Sequence, residues 1–81
     1  MLSSYNKLKQ VIADVLGIEA STIDDNTSVD TVEEWDSLKH LHLVLALESE
    51  FDISLTEEQT VEILSYPLIK IVLEEHGIQF N

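Results

Sequence analysis

The chain contains no cysteine, which excludes disulfides, thiolate zinc sites and cysteine nucleophiles. One proline and two glycines in 81 residues are too few turn-formers for an all-β chain with many tight turns. Four residues are basic against 16 acidic, for a net charge of −12. That balance argues against nucleic acid and anionic membrane surfaces, because both are polyanions. It favours partners with basic patches, found quickly through long-range attraction. No run of about 18 apolar residues exists, so no membrane-spanning helix is expected. The start, MLSSYNKLKQ, lacks the unbroken apolar stretch that follows a basic segment in a signal peptide. A monomeric cytoplasmic protein is the expectation.

What is present is ordinary globular material. The 44% hydrophobic content argues against disorder despite the charge. The length suits one domain, 1–81, and is too short for two. A domain this small buries roughly 60% of the surface its unfolded chain exposes. Such a modest core does not easily enclose a deep catalytic pocket as well.

The pattern predicts an all-α bundle of three main helices and one short one, with a long loop between the first and second. The first helix is expected over Ser4–Leu16. Tyr5, Leu8, Val11, Ile12, Val15 and Leu16 form one stripe at helical spacing, and Gly17 stops it. Residues 18–35 are rich in Ser, Thr, Asp and Asn, with Ile18, Ile23, Val29 and Val32 placed to pin the connection to the core. A loop this long in a small domain is functional or packed by its own side chains. The second helix is expected from Ser37 to about Phe51, with Asp36 as N-cap. A short third helix starts at Thr56, where Thr56 and Gln59 have capping-box spacing. Pro67 suits a first helical turn, so the last helix is expected from about Pro67 to His76. Leu68, Ile71 and Val72 would face inward, and Gly77 would end it.

The second helix carries two apolar stripes. Leu43, Val44, Leu47 and Phe51 make the broad one, expected to face the core. Leu38, Leu41 and Leu45 fall on another side at i, i+3 and i+7, with Ser37 and Glu48 near them. An amphipathic helix in a monomer needs one stripe. The second therefore reads as a partner patch rimmed by acid, although a helix buried on both sides gives the same pattern. Ser37 sits where a helix offers unpaired amides and partial positive charge, so its hydroxyl could hold a phosphate ester. By itself, a first-turn serine after a capping aspartate is also an ordinary helix start.

Asp36-Ser37-Leu38, followed by Leu41, Leu45, Ala46, Leu47, Glu48, Glu50 and Phe51, resembles the acyl carrier proteins. The resemblance spans the chain from first helix to last. It implies that Ser37, preceded by Asp36, carries 4′-phosphopantetheine through a phosphodiester added by a phosphopantetheinyl transferase. Acyl groups would ride on that arm as thioesters, in a fatty-acid or a specialised pathway. The carrier would hold no catalytic residue and no metal. Leu38, Leu41, Leu45 and Glu48 would meet acyl-loading and acyl-transferring enzymes with basic patches. Trp35 before the triplet resembles a Trp-Asp-Ser-Leu subgroup often tied to specialised pathways; it would also pack the loop on the second helix. Lys39, His40 and His42 replace acidic or small polar residues usual there. His40 lies near the core stripe and needs a hydrogen-bond partner or lines an acyl tunnel. An aminoacyl or peptidyl carrier is the alternative within the family. A cofactor-free acidic adaptor with a leucine patch is the alternative from another class.

Three other readings fail: a hydrolytic triad, a calcium loop and a histidine pair on one metal. Asp36, Ser37 and His40 crowd one helical turn and supply neither an orienting acid behind the histidine nor a separate oxyanion hole. Counting from Asp24, a calcium loop would need glycine sixth and glutamate twelfth, where Val29 and Trp35 stand. His40 and His42 are two apart and point in different directions.

Overall fold

The computed structural model describes residues 4–80. Met1, Leu2, Ser3 and Asn81 lie outside the described residues, and with them part of the N-terminal segment read above as no signal peptide and the two ends of the 1–81 unit. Helix α1 spans Ser4–Leu16 and buries Leu8, Val11, Ile12, Ala13 and Leu16. Gly17 ends it at φ 72°, a left-handed conformation without steric cost for glycine. The Ile18 amide then reaches back to the Ala13 carbonyl at 3.1 Å, closing the helix end.

The connection to the next helix is held by its own polar side chains, which take the amides a loop leaves unpaired. It holds one turn of 3₁₀ helix, Ala20–Thr22. The Asp24 amide donates to buried Thr27 Oγ1, and Asn26 donates to the Asp24 carboxylate. The Ser28 amide donates to Thr31 Oγ1. Ile23 is buried, while Ile18, Val29 and Val32 pack half-buried against the core. The Val29 amide donates to the Leu64 carbonyl at 3.0 Å, and the Tyr66 amide donates to the Thr27 carbonyl at 2.9 Å. This isolated bridge between Ser28 and Ser65 ties the connection to the far end of the chain.

Helix α2 spans Ser37–Phe51, α3 spans Glu57–Glu62 and α4 spans Tyr66–Glu75. Thr56 and Gln59 form the reciprocal capping box at the start of α3. Leu43, Val44 and Leu47 are the buried face of α2, and Phe51 packs half-buried at its end. Leu8, Ile12, Leu43, Leu47, Ile63 and Ile69 are 0% exposed. Each such side chain contributes about 1.5–3 kcal/mol relative to leaving it in water. The exposed Lys7–Glu50 pair at 4.0 Å is worth about 1 kcal/mol at most. Burial therefore holds the bundle, and the charged surface does not.

Helix α4 corrects the expected inward face. Leu68 and Ile71 are 42% and 52% exposed, whereas Tyr66, Ile69, Val72 and Leu73 are buried. Ser65 caps the helix by accepting the Leu68 amide, so α4 begins at Tyr66, one residue before Pro67. The bond from Tyr66 to Thr27 fixes the rotation of that first turn. Relative to Ile69, Leu68 is turned by about 100° and Ile71 by about 200°, which puts both outside.

Candidate functional site

The site begins with one cap. Asp36 is extended (φ −98°, ψ −174°), and its carboxylate accepts the Lys39 amide at 2.9 Å. Its carbonyl accepts the His40 amide at 2.8 Å. Ser37 is therefore the first helical residue of α2, and it is exposed. Among the described residues no hydrogen bond engages its hydroxyl. The side chain stands at the electropositive end of a 15-residue helix.

Beside Ser37 lies an open cleft of about 440 Å³, lined by Val29, Trp35, Asp36, Ser37, His40 and Leu64. Trp35 is 4% exposed. Its indole Nε1–H donates to His40 Nδ1 at 3.0 Å, and the other ring nitrogen of His40 lies 2.7 Å from the Thr60 carbonyl oxygen. Indole nitrogen only donates and a carbonyl oxygen only accepts. Those partners select the neutral imidazole with its proton on Nε2. The two rings meet edge to edge, with centroids 6.2 Å apart and planes 23° from parallel. His40 thus has the partners its half-buried position requires. Both ring nitrogens are engaged away from Ser37, so the ring supplies no base to that hydroxyl.

Leu38, Leu41 and Leu45 are 60%, 55% and 56% exposed, and they form the outer stripe of α2. Glu48 is half-buried, and its carboxylate accepts the Leu55 amide at 2.9 Å. Asp24 and Asp25 are occupied locally, the first by Asn26 and the second by Lys70 at 3.5 Å. Val29, Thr60 and Leu64 join the site without a sequence signal. They come from the connection and from the region around α3: Val29 and Leu64 reach the cleft beside Ser37, and Thr60 reaches His40.

No helix among the described residues is long and apolar enough to cross a membrane. The family described as "Phosphopantetheine attachment site" matches residues 6–65, from α1 through the cleft to the cap of α4. A protein of Clostridium acetobutylicum named "Acyl carrier protein" is 39% identical over 61 residues, 75% of this chain and 79% of that protein. An exposed serine opening a capped helix, inside a match of that extent, places the chain in the acyl carrier protein family, whose members are carriers rather than enzymes and bear 4′-phosphopantetheine.

Proposed function

We propose that Ser37 Oγ is the attachment point of 4′-phosphopantetheine, and that the chain carries acyl intermediates as thioesters in a fatty-acid or specialised acyl pathway. The observation that carries this reading is the exposed Ser37 hydroxyl at the start of α2, without a hydrogen bond among the described residues. The residues around it fit the group. The Ser37 and Leu38 amides at the helix start favour a phosphodiester there, and Asp36 fixes that turn through the Lys39 amide. Val29, Trp35 and Leu64 give the adjoining cleft an apolar wall. The prosthetic group supplies a thiol that holds cargo as a thioester.

The chain's own work is presentation. A phosphopantetheinyl transferase and the acyl-loading and acyl-transferring enzymes meet Leu38, Leu41 and Leu45, with Glu48 and the wider acidic surface drawing basic patches toward them. Lys39 and His42 stand beside this stripe and favour a specialised set of partners. At −12 the chain repels its own copies, which suits a monomeric carrier unit working in the cytoplasm.

The test is mass spectrometry of protein co-expressed with a broad-specificity phosphopantetheinyl transferase. A mass gain equal to the prosthetic group, absent in Ser37→Ala, supports the assignment. An unmodified Ser37 in correctly folded protein overturns it and leaves an acidic adaptor.

A further inference from the structure

We infer that Trp35 and His40 form a proton-sensitive latch beside Ser37, in which neutral His40 is the positioning residue that holds the indole in the cleft wall. The indole N–H donates to His40 Nδ1 at 3.0 Å while Nε2–H donates to the Thr60 carbonyl at 2.7 Å. Proton uptake would place a second N–H on Nδ1, donor facing donor, and indole nitrogen has no acceptor role to exchange. The bond is lost, and the indole N–H of a tryptophan that is 4% exposed is left without a partner, which a buried donor tolerates poorly. The Thr60 bond survives, because an imidazolium still donates from Nε2.

The consequence is local. Trp35 is two residues from Ser37, and both line the same cleft. Release of the indole changes the wall beside the serine while α3 stays fastened. The neighbouring elements carry further charged groups. They are Glu33, Glu34 and Asp36 on the connection, and Lys39 and His42 on α2. On α3 they are Glu57, Glu58 and Glu62, and His76 reaches that helix through Gln59. All of them are retained when His40 alone is replaced, so replacement separates their effects from its own.

The inference does not depend on Ser37 being modified, so the experiment uses the unmodified chain. Trp35 is the single tryptophan, and its indole N–H gives one assignable NMR signal. Solvent exchange of that proton is measured against free indole at each pH, with the His40 ring signals marking where the ring takes up its proton. The expected result is about a tenfold loss of indole protection coincident with His40 protonation, the scale of one hydrogen bond, while α3 amides keep theirs. His40→Asn retains an acceptor at the δ position and should keep the indole protected at every pH. His40→Gln retains only the ε donor and should leave it unprotected at every pH. A protection step that persists in His40→Asn, a wild-type indole that ignores His40 protonation, or simultaneous loss at the indole and α3 would each overturn the latch.

Discussion

The Glu48 carboxylate accepts the amide of Leu55, seven residues ahead, at 2.9 Å. The bond ties the last turn of α2 to the approach to α3. An acid near a helix C-terminus is disfavoured by the macrodipole, so this contact offsets an unfavourable placement. Glu48→Ala is expected to cost about 1–2 kcal/mol in urea denaturation, the scale of a charge-assisted bond to a half-buried amide. Glu48→Gln keeps a neutral acceptor and should cost less. A partner that loses affinity for Glu48→Gln reads the charge itself; one that responds only to Glu48→Ala reads the altered structure.

The cap and the adjacent serine should separate in the same way. Asp36→Ala removes the acceptor of the Lys39 amide and should lower stability by about 1 kcal/mol. The Ser37 hydroxyl has no partner among the described residues, so Ser37→Ala should stay within about 0.5 kcal/mol of wild type. Paired denaturation curves check both. A large destabilisation in Ser37→Ala would show that the hydroxyl holds structure, and its loss of modification would then be ambiguous.

Local signals in the sequence proved sufficient for α1, for the Asp36 start of α2 and for the Thr56–Gln59 box of α3, because each rests on residues within one turn. The rotation of α4 did not follow from its local pattern. Pro67 is conspicuous, yet the start is set by Ser65 and by the bond from Tyr66 to Thr27, 39 residues away in the chain. The site divides likewise. The positions of Asp36, Ser37 and the leucine stripe are readable from the cap and the helical spacing, whereas a role for Ser37 comes only from the resemblance. His40 calls for a partner, but nothing in its neighbourhood names Thr60, 20 residues on, or brings Leu64 to the cleft.

Asp52 caps the end of α2 at φ 53°, ψ 53°, and it is the one non-glycine residue with positive φ among the described residues. That region disfavours a Cβ, and aspartate tolerates it better than most side chains. Its charge also sits at the negative end of the helix dipole. Asp52→Gly relieves both and should raise stability by about 0.5–1 kcal/mol. Asp52→Asn removes only the charge and should gain less. Denaturation midpoints at low and high salt check the division, because salt screens the electrostatic part alone.

Tyr66 should carry a stability cost that grows with alkalinity. The residue is buried, and its hydroxyl has no hydrogen-bond partner among the described residues. Burial is the main reason its phenol is held above the ordinary value of 10.0, with smaller contributions from Tyr5 and the negative charge of Asp25. The folded state therefore keeps the proton where the unfolded chain releases it. Above about pH 10 the unfolded state binds fewer protons at this site, so stability falls as pH rises. Tyr66→Phe removes the unpaired hydroxyl and leaves a ring for Lys70 Nζ, now 4.7 Å from the Tyr66 centroid. The variant should be about 1 kcal/mol more stable at neutral pH, with a shallower loss as pH rises above about 10. Urea midpoints compared across that range decide it: parallel curves would mean that Tyr66 ionises as freely folded as unfolded.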